Sequence, residues 1–309
     1  MGRVRGGTKA LTLNRGFRYR ERLGETARGR TLLAYLSARY RHSSTAEWRH
    51  RIEGGLVLVE GAPARPDRAL APGESLVWNR PPWQEPHAPL SFAVLYEDED
   101  VLGVAKPAGL PTLPGGSFLE NTLLARVGRR YPGASPLHRL GRGTSGIVLF
   151  ARSPDARRAL TRCWKDEVER SYRAVVTGLF PEGETILEHP IGLVPHSLLG
   201  SVYAVSATGK RARSRARLLE HRENLSLVEI DIETGRTHQI RIHLAAAGHP
   251  LAGDPLYPQG GVPPPEGDVL PGATGYRLHA HRVRFPHPRT SREVVIHCGP
   301  PPLYRAGTE

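Results

Sequence analysis

Hydrophobic positions divide the chain into a short helical region and a longer region of alternating strands and helices. In the short region, apolar residues recur at helical spacing between 32 and 40, and Ser44 or Thr45 can cap a second helix. Apolar runs bounded by Gly and Pro turns predict strands at 56–59 and 75–78. The pattern of the short region is therefore two helices followed by strands.

The longer region shows strand patterns of two kinds. Short strands are predicted at 94–97 and 101–105, on either side of an acidic turn. The continuous apolar run 147–150 predicts a strand that is buried on both faces, whereas the alternating run 228–233 predicts a half-buried strand. We therefore expect an α+β domain with a mixed, largely antiparallel sheet.

Two helices of the longer region have start signals. Ser153, Pro154 and Asp155 supply a cap, a first-turn proline and a first-turn acid. Thr237 can cap a later helix that ends at Gly248. Each signal predicts where a helix begins within a few residues.

Charge and proline content suggest the domain limits. Residues 1–30 carry nine basic and two acidic residues with little apolar periodicity, which indicates a flexible basic arm. We expect a small module over 31–80, a proline-rich linker over 81–90 and the main domain over 91–309. The Pro/Gly-rich stretch 258–272 is predicted to be a surface excursion of the main domain.

Composition indicates a polyanionic partner. The net charge is +13, and nearly all of the positive charge is arginine, which binds phosphate bidentately and stacks on bases. A GC-rich genome would explain arginine over lysine, but not the excess over acids. The two cysteines form neither a disulfide framework nor a zinc site. Without a secretory signal or an apolar run of about 18 residues, we expect a cytoplasmic protein with no membrane span.

The most informative motif is Leu-His-Arg-Leu-Gly-Arg-Gly-Thr-Ser-Gly at 137–146, followed by the apolar strand 147–150. It resembles the active-site segment of the RluA-type pseudouridine synthases, His-Arg-Leu-Asp-x-x-Thr-Ser-Gly. Gly141 stands where that family carries its catalytic aspartate. The resemblance therefore predicts RNA modification, although the residue expected to perform it is absent.

Other motifs extend the resemblance over essentially all of 31–300. They are the Tyr-Glu-Asp…Lys-Pro-x-Gly segment (96–109), the tyrosine strand (170–178), the closing Gly-Arg-Thr-His-Gln-Ile-Arg motif (235–241) and Leu-His-Ala (278–280). The pattern at 52–61 resembles the S4 RNA-binding module. The resemblance implies an α+β pseudouridine-synthase fold with a mixed, largely antiparallel sheet, preceded by a small S4-like α/β module.

The family resemblance also implies residue roles. Arg139 enters the space left by the flipped base, Tyr172 lies against the uracil, and Arg241 pairs with the catalytic carboxylate. In the S4-like module, Arg49 and Arg51 would face phosphate. Arg142 is a further candidate for a phosphate contact, with a local surface role as the alternative. No cofactor is implied, because the uracil base is both leaving group and attacking nucleophile.

Arg241 also stands out without the resemblance. It shares a helix face with His238, near the positive end of the helix dipole, where an arginine is unfavourable unless an anion lies nearby. The natural anion would be the aspartate that Gly141 replaces. An ordinary surface ion pair is the alternative.

A run of arginines and a set of histidines are further candidate sites. Alternation predicts that four arginines share one strand face, where they repel one another unless a polyanion neutralises them: Arg211, Arg213, Arg215 and Arg217. The alternative is a solvated edge strand whose charges deter aggregation. The spacing of His238 and His243 does not fit one helix face, and no metal site is predicted among the histidines His138, His238, His243 and His249.

Gly141 leaves three interpretations open. Another carboxylate, with Asp254 and Glu233 as candidates, or a rearranged loop with Gly143 could serve in an active synthase. The protein could instead be a catalytically inactive RNA-binding protein or RNA-folding chaperone, or Gly141 could be an isolated change in the sequenced copy. Because the surrounding motif residues are retained, we favour a monomeric synthase that acts on a flipped uridine in structured RNA, with ribosomal RNA preferred over transfer RNA.

Overall fold

The computed structural model describes residues 13–198, 200–266 and 269–307. The chain divides after Glu85 into two compact units. In the first unit the helices are α1 (Leu32–Arg39) and α2 (Thr45–Glu53), and the strands are β1 (Phe17–Arg22), β2 (Val57–Val59), β3 (Ala62–Pro63) and β4 (Ser75–Arg80).

The first unit contains two capped helices and one antiparallel sheet with strand order β1-β4-β2-β3. Ser44 caps α2 as predicted, and with Glu47 it forms a reciprocal capping box. Leu36, Trp48 and Ile52 pack into a core with residues of β2 and β4. The order predicted for residues 31–80, two helices followed by strands, is confirmed.

The expectation of a flexible arm over 1–30 is wrong for the part that the structure describes. Residues 17–22 form β1, which pairs along its whole length with β4, from Phe17 opposite Arg80 to Arg22 opposite Ser75. Tyr19 stacks on Trp78 with 5.1 Å between ring centroids. The aromatic residues alternate with arginines at strand spacing, a pattern that the high charge hid. Residues 1–12 lie outside the described residues.

The described part of the second unit holds three α-helices, one short 3-10 helix (Pro302–Tyr304) and twelve strands. The helices are α3 (Leu123–Arg130), α4 (Pro154–Cys163) and α5 (Gln239–Ala246). The strands are β5 (Ala93–Glu97), β6 (Val101–Lys106), β7 (Ser135–Pro136), β8 (Ser145–Ala151), β9 (Glu169–Thr177), β10 (Glu184–Leu187), β11 (Ile191–His196), β12 (Gly200–Val205), β13 (Ser214–Arg222), β14 (Leu225–Ile232), β15 (Leu278–Pro286) and β16 (Glu293–His297).

A ten-stranded sheet organises the second unit. Its main path is β10-β13-β14-β9-β15-β8-β6-β5, with β16 on β15 and β7 on β8, while β11 and β12 form a separate hairpin. The pairing of β15 with β8 is parallel, and the other strand pairs of this sheet are antiparallel. The predicted mixed, largely antiparallel sheet is confirmed.

Three local predictions concerned the buried strand at 147–150, the Ser153 cap and the Thr237 cap, and the first two are confirmed. β8 is buried on both faces, and the Ser153 hydroxyl accepts a hydrogen bond from the backbone of Ala156 at the start of α4. The Thr237 cap is wrong: α5 begins at Gln239 after His238, whose backbone is left-handed with φ 57°, and it ends at Ala246. A residue in that conformation interrupts the helix before Thr237 can cap it.

Residues 81–92 and 258–272 contain no helix or multi-residue strand among their described positions. The division between units falls within the predicted linker. Across the described residues, every helix is too short or too polar to span a bilayer.

Gly146 is expected to be essential for stability. Its φ is +107°, and a side-chain carbon there would overlap the backbone of Ala280 on β15. Gly146→Ala should lower the free energy of unfolding by about 3 kcal/mol, measured by urea denaturation. Gly128→Ala in α3 is the control. A side-chain carbon at Gly128 would meet no atom within 4 Å beyond the backbone of its own helix, so this variant should be neutral or stabilising. Equal stability of the two variants would contradict the prediction.

Candidate active site

Two adjoining pockets in the second unit share a wall. The larger has a volume of about 870 Å³ and the smaller about 110 Å³. Residues from the loop before β8, from β9, from the end of β14 and from the segment before α5 line both: Arg139, Leu140, Gly141, Tyr172, Ile232, Arg236 and His238. The shared wall therefore contains the segment that the sequence marked as most informative.

The loop that carries Gly141 is held by hydrogen bonds to its backbone. The amide of Thr144 donates to the Gly141 carbonyl at 3.1 Å, which closes a tight turn. The buried Lys106 ammonium donates to the Leu110 carbonyl at 2.8 Å and to the Arg142 carbonyl at 3.3 Å. Burial lowers the pKa of Lys106 to about 7. The path of this loop is thus fixed by a cation buried among backbone carbonyls.

The structure brings together the three residues to which the resemblance gives a role. Tyr172 lies in the middle of β9, opposite Ile230 of β14 and Ala280 of β15, and is buried. Arg241 projects from the first turn of α5, and Arg139 is exposed in the loop before β8. All three line the smaller pocket.

Arg241 has a protein carboxylate as its partner. Its Nε and Nη2 atoms donate to the two oxygens of Asp254, each at 2.7 Å, and both side chains are almost completely buried. Asp254 also accepts the backbone amides of Leu256 and Tyr257. The helix-dipole argument for an anion is therefore confirmed. The identity that we expected is wrong, because Asp254, and not residue 141, supplies the charge.

Asp254 and Glu233, the two candidate substitute carboxylates, both form ion pairs with arginines. Asp254 has both oxygens bonded and lines neither pocket. Glu233 lines the larger pocket, and its oxygens lie 3.5 Å from the guanidinium groups of Arg213 and Arg215. Asp254 is therefore buried away from both pockets, whereas Glu233 lies at the larger pocket with its charge offset by two arginines.

The arginine run does not require a nucleic-acid partner. Acidic residues of neighbouring segments neutralise it, in the ion pairs Arg211–Glu188, Arg213–Glu188, Arg213–Glu233, Arg215–Glu233 and Arg217–Glu229. The strand itself begins at Ser214, and within it Arg215 and Arg217 share the exposed face. Mutual repulsion, on which the RNA-binding interpretation depended, is relieved within the protein.

The three other candidate arginines have different environments. Arg49 forms an exposed ion pair with Glu53 on α2, at 3.9 Å. Arg51 is half-buried, donates to Ser43 and lies 4.7 Å from the ring centroid of Trp48. Arg142 lines the larger pocket and donates to the Gly272 carbonyl at 2.9 Å. Of these three, Arg142 is placed at the pocket.

The larger pocket has a strongly cationic lining. Its described side chains include one carboxylate, Glu233, and five cations: Arg139, Arg142, Lys165, Arg170 and Arg236. Arg170 was not singled out from the sequence, although it lies two residues before Tyr172. It is 8% exposed, and its Nε atom has no hydrogen-bond partner among the described residues. Burial lowers the pKa of Arg170, so its charged form is costly until an anion binds.

The histidines considered as metal ligands contact protein groups. His138 accepts the Leu149 amide, His238 bonds the Tyr257 hydroxyl, and His249 bonds the Thr177 carbonyl. His243 lies between Ser214 and the His189 carbonyl. Burial lowers the pKa of His138 and of His238 to about 3, so both are neutral hydrogen-bonding groups at pH 7.

Sequence reasoning missed Tyr276. This buried residue precedes β15 and lines the smaller pocket together with Gly141, Tyr172 and Arg241. It lies in a segment without periodicity after the Pro/Gly-rich stretch, so no sequence signal indicated its position.

Loss of the Asp254 carboxylate should strongly destabilise the fold. Asp254→Ala leaves the Arg241 charge buried without a partner, at an expected cost of about 3–5 kcal/mol in the free energy of unfolding, measured by urea denaturation. Glu233→Ala, which removes a half-exposed carboxylate, should cost less than about 1 kcal/mol. A small loss for both variants would contradict the role that we assign to the buried pair.

Comparisons with known proteins agree with this arrangement. The sequence pattern of the family described as RNA pseudouridylate synthase matches residues 100–246. An uncharacterised RNA pseudouridine synthase of Synechocystis is 41% identical over 88% of this chain and 94% of its own length. RNA pseudouridine synthase 5 of Arabidopsis thaliana is 34% identical over 96% of each chain. Ribosomal large subunit pseudouridine synthase D of Neisseria meningitidis is 37% identical over 87% of this chain and 75% of its own.

The fold is also similar to that of a solved structure. Human RNA Pseudouridylate Synthase Domain Containing 1 superimposes with a TM-score of 0.56 at 26% identity, over 72% of this chain and 89% of that protein. The sequence identity to relatives of nearly equal length, together with this fold, leads to one assignment. The chain belongs to the RNA pseudouridine synthase family.

Proposed function

We propose that this protein isomerises a flipped-out uridine in structured RNA to pseudouridine, with ribosomal RNA preferred over transfer RNA. The observation that carries the proposal is the meeting of Arg139, Tyr172 and Arg241 at the wall of one pocket. An arginine at the rim, a buried aromatic ring and a buried cation suit a base that has left its stack. Ribosomal RNA is favoured because a relative is named for the large ribosomal subunit.

The charge of the larger pocket supports RNA as the substrate. Five cations against one carboxylate attract a phosphate backbone, and a concave wall strengthens their field. Arg170 is the most informative of the five, because it is buried with an unsatisfied Nε and no described carboxylate pairs with it. A phosphate oxygen would supply the missing charge and acceptor.

The first unit is proposed to act as an S4-like RNA-binding module. Its two capped helices followed by a small sheet match the sequence pattern that suggested this module. Arg49 and the partly exposed Arg51 on α2 would then lie towards the RNA backbone.

A binding-only protein is the second candidate. It is favoured by the lack of a side chain at Gly141 and by the ion pairs that hold Asp254 and Glu233. The two candidates differ in one respect: a synthase releases the C5 hydrogen of its target uridine, whereas a binding protein forms a complex without product.

The synthase proposal is tested by release of tritium from unmodified ribosomal RNA labelled at the uracil C5 position, with transfer RNA in parallel. We expect release that is proportional to enzyme and greater from ribosomal RNA. Arg157→Gln, on the exposed side of α4 outside both pockets, is the matched control and should match the natural protein. Stable RNA binding with no release would establish the binding-only alternative.

Arg170 should contribute one phosphate contact. Arg170→Gln should weaken RNA binding about tenfold at low salt and reduce the slope of log affinity against log salt by about one, measured by filter binding. Thermal stability should not fall, because the substitution removes a buried unpaired charge. An unchanged salt slope, equal to that of Arg157→Gln, would show that Arg170 does not meet a phosphate.

A further inference from the structure

The hydroxyl of Tyr276 occupies the space into which a side chain at position 141 would project. A side-chain carbon on Gly141 would lie 2.5 Å from the Tyr276 oxygen, and one on Gly143 would lie 2.9 Å from two carbons of the ring. Contacts under about 3 Å between such atoms are not tolerated without movement. Glycine at both positions therefore leaves room for the tyrosine.

The surroundings of Tyr276 fix its ring against the cationic part of the pocket. The Arg241 guanidinium carbon lies 4.2 Å from the ring centroid, and the hydroxyl lies 3.2 Å from the Thr144 hydroxyl. Arg241 is itself immobilised by Asp254. The phenol is thus held in one place by a stacked cation, a hydroxyl partner and two glycines.

Of the described residues that line the smaller pocket, few other than Tyr276 carry a side-chain hydroxyl or carboxylate: Thr144 and Tyr172. Asp254 and Glu233 are held in ion pairs. Tyr172 lines the same pocket, but the three atoms nearest to a side-chain carbon at position 141 belong to Tyr276 and Thr144. Thr144, the partner of the Tyr276 hydroxyl, is an alcohol and far less acidic than a phenol.

We propose that the Tyr276 hydroxyl is the nucleophile that attacks the ribose C1′ atom of the target uridine. This inference rests on the proposed synthase function and assigns its reactive group. Tyrosine is an established covalent nucleophile in enzymes, and it serves at an anomeric carbon in sialidases.

The reaction balances without a co-reactant. The phenol oxygen forms a bond to C1′ as the C1′–N1 bond breaks, and the phenol proton passes to the departing uracil. The uracil turns, its C5 atom attacks C1′, and the bond from C1′ to the tyrosine oxygen breaks. The phenolate then takes the C5 proton, which exchanges with water. The net change is an isomerisation that releases the C5 hydrogen.

Tyr276→Phe removes one oxygen and keeps the ring on Arg241, so the fold should be retained. We expect kcat for tritium release to fall at least about 10³-fold, while RNA affinity stays within about twofold. Tyr131→Phe is the matched control, since it removes another bonded hydroxyl from a buried tyrosine, here one that contacts Glu97 outside both pockets. The control should retain full activity.

A second measurement separates a reacting phenol from a positioning one. The first step needs the phenol proton for the departing uracil, so the rate should fall at alkaline pH. Replacing Tyr276 by 3-fluorotyrosine, which has a more acidic phenol, should move that fall to lower pH. Gly141→Asp should lower the activity, because its carboxylate must displace the tyrosine, and release should fall further in Gly141→Ala, which displaces it without adding a carboxylate.

The outcomes distinguish this proposal from the one on which it rests. If Tyr276→Phe keeps activity within a few fold of the natural protein, the nucleophile assignment is overturned and the synthase function stands. If the natural protein releases no tritium from any RNA offered, the synthase function itself fails. The assignment would also be overturned if Tyr276→Phe lowered RNA affinity as much as it lowered the rate, and if 3-fluorotyrosine left the pH–rate profile unchanged. Tyr276 would then be part of the wall that binds RNA.

Discussion

The buried ion pair between Arg241 and Asp254 holds the site together. Two charges removed from water are costly, and they are stable here because the contact is bidentate at 2.7 Å and because two backbone amides complete the carboxylate. The guanidinium also lies between the rings of Tyr257 and Tyr276, at 4.8 and 4.2 Å from their centroids. One contact thus fixes the start of α5, the turn after it and the wall of the pocket.

The distribution of charge separates structural from functional arginines. On β13 and the segment before it, acids of neighbouring segments neutralise the arginines, so their charges stabilise the surface. Among the described residues that line the larger pocket there are five cations and one carboxylate, and the buried Arg170 has no described carboxylate partner. A net charge of +13 therefore gives little information on its own. What matters is where the positive charge is left uncompensated, because only there does it attract an anion.

The surroundings of Gly141 in the structure differ from what the sequence motif suggests. In the motif, Gly141 stands where a carboxylate is expected. In the structure the space beside it is filled by Tyr276, and Gly143 makes room for the same ring. The loop around it keeps its backbone hydrogen bonds through Thr144 and Lys106. Two glycines and one buried tyrosine therefore fit together at this position.

The sequence alone determined the features that depend on neighbours a few residues away. The caps at Ser44 and Ser153 and the doubly buried strand β8 follow from local hydrogen bonds and periodicity. The meeting of Arg139, Tyr172 and Arg241 was implied only by the family resemblance, because these residues lie on separate segments.

Tertiary structure decided the features that depend on distant partners. β1 is a strand because β4 pairs with it, Arg241 is paired because Asp254 lies in the turn after its helix, and the arginine run is neutral because acids on other segments reach it. The position of Tyr276 beside Gly141 is of the same kind. Sequence spacing carries no information about such contacts, since burial and charge pairing between distant segments are settled only when the chain has folded.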